Sequence, residues 1–235
     1  MPRRQIKGIL IDFYGTISAG DKEAVEIACR TIVDACGVPV TPAEFEVIWG
    51  RRFFAAIETC NHQRFRTLLQ CETSSLREAL EQFGVRVPER ELRSLVSDLE
   101  SYWANPPVYD DALSFLGGVT LPICCVSNAD TDPLMAAISR HRLRFDAVAT
   151  SESVRAYKPD PAIFLAAANR LGIQPKDLIH VGDSLHSDVA GAAVAGVGAV
   201  WIRRESRILD VGTGEPDYCI NTLGELSDII QGNSP

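Results

Sequence analysis

The chain has 235 residues, 46% of them hydrophobic and 23% charged, which is the composition of ordinary folded domains and excludes disordered and fibrous classes. A formal charge of −8 offers no footing for a polyanionic partner such as nucleic acid or an acidic membrane surface. No apolar run approaches the roughly 18 residues of a membrane span, and the basic start Met1, Pro2, Arg3, Arg4 leads only into a strand-length patch, so a cytoplasmic, unexported protein is expected.

Residues 6–11 read as a short buried strand ending at Asp12 and a Gly-Thr turn. Helical spacing then runs over 21–35 and stops at Gly37. Thr41, Pro42, Ala43 and Glu44 form a capping box with proline at the first helical position, opening a helix over 42–59. Further helices are predicted over 63–71, 74–83 and 88–102, so residues 18–105 read as all-helical. After Asn105, Pro106 and Pro107 the pattern changes to alternating units. Helices at 110–116, 133–140, 161–171 and 187–195 interleave with apolar strands at 121–126, 145–150, 178–181 and 199–202, and a strand-helix pair at 218–230 closes the chain. Uniformly apolar short strands in such alternation imply an α/β fold, a Rossmann-like doubly wound parallel sheet covered on both faces. The expected division is a core of 1–17 with 106–235 and an inserted helical domain of 18–105, hinged at Ser18-Ala19-Gly20 and at the proline pair.

Seven cysteines, with no Cys-x-x-Cys and no histidine at zinc-finger spacing, read as reduced and mostly buried thiols. Cys124 and Cys125 lie in a predicted strand that sends one side chain to each face, which suits packing rather than nucleophilic chemistry. The glycine-rich run from Gly191 to Gly198 lacks the Gly-Lys-Ser/Thr ending of a phosphate loop and reads as small-residue packing at a helix end.

In a doubly wound sheet, ligands sit beyond the carboxyl ends of the strands. Four polar groups fall there: Asp12 after the first strand, Ser127 and Asn128 after the second, Lys158 in a loop before a helix, and Gly182-Asp183 with Asp188 after a later strand. In this order the segments Asp12-Phe-Tyr-Gly-Thr16, Val126-Ser-Asn128, Lys158-Pro-Asp-Pro161 and Val181-Gly-Asp-Ser-Leu-His-Ser-Asp188 resemble the four motifs of the haloacid dehalogenase-like hydrolase superfamily. The resemblance covers the whole chain, because one branch of that superfamily inserts a helical cap just after its first motif.

The resemblance implies a hydrolase acting on a small phosphorylated or halogenated molecule. Asp12 would be a covalent nucleophile. Lys158 would supply fixed positive charge, and the Ser127 hydroxyl with the backbone N–H of Asn128 would bind substrate oxygens. Asp12, Asp183 and the backbone carbonyl of Tyr14 would hold Mg²⁺, with Asp188 either a fourth ligand or a neighbour of one. Gly15 lets the chain turn sharply toward the substrate, and Thr16 would cap or orient the loop. Within the cap, Arg51 and Arg52 followed by Phe53 and Phe54 offer a cation and an aromatic wall, with Arg52 the candidate substrate contact.

Two features pull in opposite directions. Phosphatases of this superfamily carry a second aspartate, the general acid, at the position of Tyr14, whereas tyrosine there is similar to the 2-haloacid dehalogenase branch, whose halide leaves without a proton. That branch works without metal, lacks the residue corresponding to Asp183, and tends to place a tyrosine where this chain has Phe164. Three carboxylates against Lys158 leave a local formal charge of −2, which one Mg²⁺ would neutralise. The expected activity is therefore a Mg²⁺-dependent phosphatase, ahead of a metal-free dehalogenase and of a non-catalytic binding protein. Its missing acid would come from a substrate with a good leaving group, from His186, or from a cap residue.

Overall fold

A computed structural model of the chain describes residues 5–204 and 214–231; the basic start at 1–4 lies outside them. Six strands, β1 (Gly8–Ile11), β2 (Ile123–Ser127), β3 (Ala147–Thr150), β4 (Leu178–Gly182), β5 (Gly198–Ile202) and β6 (Tyr218–Ile220), form one sheet. The order is β3-β2-β1-β4-β5-β6 and every pairing is parallel. The chain therefore reverses its direction of travel across the sheet at β1, between β2 and β4, which opens a crevice at their carboxyl ends.

Alternation along the strands divides the core. Ile9 and Ile11 join Cys125 and Val181 on one face, whereas Leu10 joins Cys124 and Val126 on the other. The two cysteines thus pack on opposite faces, and all seven thiols are free. Helices α6 (Asp110–Gly118), α7 (Thr131–Arg140), α8 (Ser151–Val154), α9 (Pro161–Leu171), α10 (Gly191–Val194) and α11 (Leu223–Gln231) flank the sheet. Gly191 allows α10 to meet α9, since a Cβ there would lie 2.6 Å from the Phe164 ring.

Between β1 and α6 lie five helices: α1 (Asp21–Cys36), α2 (Pro42–Thr59), α3 (Leu68–Glu81), α4 (Glu89–Leu95) and α5 (Ser97–Trp103). They enclose an apolar core of their own around Ile32, Phe45, Trp49, Leu76 and Leu92. The predicted capping box at Thr41 is present.

Four helix predictions need correction. Residues 63–71 and 74–83 are not two helices. A short 3₁₀ turn, His62–Arg64, precedes the single helix α3, whose own capping box is Thr67 with Gln70. Polar Glu72 and Thr73 run through its middle because Thr73 returns its hydroxyl to the Leu69 carbonyl at 2.8 Å. Residues 88–102 split at the buried Val96, where Ser97 donates to the Ser94 carbonyl. Residues 187–195 begin earlier, as a π-helical stretch Leu185–Ala190 capped by Ser184, before α10. Among the described residues, no helix is long and apolar enough to cross a membrane.

Candidate active site

Asp12 is set by the sheet itself: its N–H donates to the Val181 carbonyl of β4 at 3.0 Å, locking the end of β1 beside the end of β4. The chain then turns tightly, with the N–H groups of Thr16, Ile17 and Ser18 all directed at the Phe13 carbonyl. Gly15 at φ 83° supplies the left-handed step.

Lys158 reaches this loop from the far side of β2 and is buried. Its ammonium uses all three donors, on Asp12 Oδ1 at 2.6 Å, Asp188 Oδ1 at 2.6 Å and the Val126 carbonyl at 3.1 Å. Its backbone is gripped by the side chain of Asn128, which accepts from the Lys158 N–H at 2.6 Å and donates to the Lys158 carbonyl at 3.1 Å. Beyond the backbone contact expected of Asn128, its side-chain amide grips the lysine's backbone. Ser127 ends β2 and is buried.

After β4, the chain brings Asp183 and Asp188 to Asp12. One carboxylate oxygen from each lies within 4.8 Å of the others. Gly182 makes this possible, because a Cβ there would sit 2.2 Å from the Asp188 carboxyl carbon. Thr16 donates to Asp183 Oδ1 at 3.4 Å, and the Trp201 indole donates to the Asp183 carbonyl at 2.9 Å. Arg204 braces the turn from behind by donating to the Thr16 carbonyl while pairing with Asp111. Both oxygens of Asp188 are engaged: Oδ1 by Lys158 and by His180 Nε2 at 2.8 Å, Oδ2 by the Ser184 N–H at 3.1 Å. Of the two roles left open for Asp188, this pattern favours holding Lys158 over direct ligation of a cation.

His180 belongs to none of the four motifs, yet it touches Asp188. It is buried within β4, edge-on to Phe164, and its signal was a lone polar residue in an otherwise apolar strand. A carboxylate only accepts, so His180 carries its proton on Nε2.

Burial pushes the Asp12 carboxyl up to about 6; Lys158 opposes the rise, and Asp188 and Asp183 add to it. Burial also works against Asp188, yet Lys158 and His180 hold it well below the usual carboxylate range. Lys158 stays above its ordinary value because Asp12 and Asp188 outweigh the pull of burial. The ammonium is thus permanent, and Asp12 is the group whose charge is in play.

Tyr14 does not replace a general acid. Its only proton goes to the Trp103 carbonyl at 2.6 Å, and its ring lies edge-on between Phe13 and Trp103. Burial raises its phenol further above the ordinary value. His186 is half exposed and pairs at 3.7 Å with Glu58 of α2. Arg52 donates to the Ile48 carbonyl and to Gln82 Oε1, both within the inserted helices.

Those helices dock on the same loops. Asp130, two residues after Asn128, accepts from the Leu68 and Leu69 N–H groups at 2.7 and 3.0 Å, capping α3 from the sheet side. Tyr157, next to Lys158, donates its N–H to Asn61 and its hydroxyl to the Arg66 carbonyl, and stacks on Phe65. The loop that carries the lysine and the loop that follows β2 are therefore both tied to the helices above them.

A parallel sheet with an aspartate at the reversal of strand order, a buried lysine on it and two further acids beside it defines a Rossmann-like α/β hydrolase. The family described as haloacid dehalogenase-like hydrolase matches residues 6–196, and the chain belongs to it. The chain is 25% identical over 229 residues to (S)-2-haloacid dehalogenase H-109 of Pseudomonas putida, covering 95% of this chain and 97% of that one. It is also 38% identical to the human N-acylneuraminate-9-phosphatase, over 88 residues that make up 37% of this chain and 36% of that one. The L-2-haloacid dehalogenase of Xanthobacter autotrophicus has the same fold, with a TM-score of 0.76 and 21% identity over 97% of this chain and 100% of its own. Both chemistries, dehalogenation and phosphate-ester hydrolysis, thus occur among the relatives.

Proposed function

We propose that this hydrolase is a Mg²⁺-dependent phosphatase that acts on a small phosphorylated metabolite in the cytoplasm through an aspartyl-phosphate intermediate. The observation that carries the reading is Asp183: a buried carboxylate in a cluster with Asp12 and Asp188, with Lys158 as the ammonium among them. Such a cluster repels an anionic substrate unless a cation joins it. The donors are all oxygens, the set that Mg²⁺ prefers, so the residues fit the ion. Asp12, Asp183 and the Tyr14 carbonyl would hold it, with Asp188 fixing Lys158 beside them. Bound there, Mg²⁺ would supply charge neutralisation on the phosphoryl oxygens.

The chain's own residues then divide the work. Asp12 presents an oxygen to phosphorus and forms the acyl phosphate bond as the ester P–O bond breaks. Lys158, held on Asp12 and Asp188, keeps the nucleophile oriented and offsets the negative charge that accumulates there. Ser127 and the Asn128 N–H receive the equatorial oxygens, and Thr16 keeps Asp183 in place. Water then attacks phosphorus and returns the Asp12 carboxylate. Residues 18–105 act as the cap that selects the substrate; Arg52 would join the substrate only by exchanging its contact with Gln82.

Tyr14 and the end-to-end similarity to a 2-haloacid dehalogenase support a second reading, displacement of halide by Asp12, since halide departs without a proton. One set of assays separates the two. Turnover of p-nitrophenyl phosphate and acetyl phosphate is measured with and without Mg²⁺, beside chloride release from 2-chloropropionate, with Asp12→Asn as the control. Mg²⁺-dependent phosphate release that vanishes in Asp12→Asn is expected. Metal-independent chloride release would overturn the phosphatase reading, and silence throughout would favour a binding protein.

A further inference from the structure

The phosphatase reading leaves one chemical need unmet. An alkoxide is a poor leaving group, and Tyr14 has spent its proton on Trp103. The donor must be a carboxyl or similar group that keeps its proton near neutral pH and opens onto the space beside the nucleophile loop.

One group answers that description. Glu72 lies on α3 and is only 4% exposed. Its Oε1 accepts from the Trp103 indole at 3.0 Å, and the Trp49 indole lies against its backbone carbonyl. The same Trp103 accepts the Tyr14 hydroxyl through its carbonyl, so one residue ties Glu72 to the nucleophile loop. Glu72 also lines a small cavity of about 20 Å³, walled by Tyr14, Trp103, Ala129 and Asp130. That is space for a single water. Burial pushes the Glu72 carboxyl up to about 8; the Trp103 bond opposes this, and Asp130 and Glu100 add to it. The other acids on the cavity are poorer donors. Asp130 has both oxygens committed to backbone N–H groups, and Glu100 is half-buried rather than enclosed.

We propose that Glu72 is the general acid of this enzyme, delivering to the leaving oxygen, directly or through one water, the proton that phosphatases of the family take from the position of Tyr14. The inference rests on the phosphatase reading and deepens it. As the Asp12 oxygen bonds to phosphorus, the ester P–O bond breaks and its electron pair goes to the leaving oxygen. That oxygen takes the Glu72 proton, giving a neutral alcohol and a Glu72 carboxylate. In the second half, the carboxylate removes a proton from the attacking water, the hydroxide oxygen bonds to phosphorus, and inorganic phosphate leaves with Asp12 and Glu72 both restored. The substrate class follows: phosphate esters of alcohols, whose leaving groups need that proton.

The test compares kcat/KM for simple alkyl phosphates with that for acetyl phosphate, whose leaving carboxylate needs no proton. Glu72→Gln keeps an oxygen for the Trp103 indole while removing the acid. A fall of roughly 10²–10⁴ on alkyl phosphates is expected, at least tenfold larger than the fall on acetyl phosphate. Adding Tyr14→Asp to Glu72→Gln should return part of the alkyl activity, which a purely structural role for Glu72 would not allow. In the wild-type chain, the ratio of alkyl to acetyl phosphate turnover should decline as pH rises through about 8. That readout needs no variant, and titration of Asp12 or Asp130 cancels in the ratio. Equal losses on both substrates, or a pH-independent ratio, would overturn the role of Glu72 while leaving the phosphatase reading intact. A wild-type chain inert toward both substrates with Mg²⁺ would overturn both.

Discussion

His180 places Nε2 2.8 Å from Oδ1 of Asp188, the same oxygen that receives the Lys158 ammonium. Because Lys158 in turn holds Asp12, a strand residue facing the sheet interior reaches Asp12 in three contacts. Each group in the row is buried, so a donor removed from it leaves an unmet acceptor in low dielectric.

Replacing His180 tests that row. His180→Phe removes the donor and should cost about 1–3 kcal/mol of stability with a several-fold loss of turnover. His180→Gln, which can still offer an N–H, should recover part of both. Urea unfolding beside steady-state rates measures the pair, and a Phe variant equal to wild type would mean that Lys158 alone holds Asp188.

Gly182→Ala should displace Asp188, because the new methyl would fall 2.2 Å from the carboxyl carbon. Overpacking of this kind costs roughly 1–3 kcal/mol. Turnover should fall further than stability alone accounts for, since the carboxylate that moves also holds Lys158. A folded variant of wild-type activity would show that the loop absorbs the methyl.

Mg²⁺ should stabilise the folded chain. At about a hundredfold excess over its dissociation constant, one-site linkage gives about 3 kcal/mol, read as a rise in Tm. Asp183→Asn should abolish the rise, and Thr16→Val should weaken it by loosening the Asp183 carboxylate. An unchanged shift in Asp183→Asn would place the ion elsewhere.

Glu72 also gives stability a pH dependence. Its carboxyl titrates near 4.5 when unfolded and near 8 when folded, so between those values the native chain binds the extra proton. Stability from this group is complete below the lower value and declines as pH rises through the window, by a few kcal/mol at most. Glu72→Gln should therefore gain stability relative to wild type from pH 5 to pH 8. Denaturant unfolding at several pH values reads the slope, and parallel curves would show that Glu72 is already ionised in the fold.

What could be read from the residues in order was whatever has a local cause. Apolar strands ending in Asp12, Ser127 and Asp183 declare a parallel sheet and the polar residues at its carboxyl ends, because burial on both faces leaves only those ends for chemistry. Thr41 with Glu44 marks a helix start for the same reason, since its hydrogen bonds close within four residues. Everything decided by contacts across the chain stayed hidden. His180 looks like a misplaced polar residue in β4 until the π-helical turn brings Asp188 back over Gly182. Glu72 looks like the break in a helix until α3 packs against Trp103, 31 residues away, and the hydroxyl of Tyr14 has no visible partner until it is found on that same residue. Sequence alone determined which groups stand at the strand ends; the tertiary structure decided which of them keep a proton, because burial and partners distant in the chain set that.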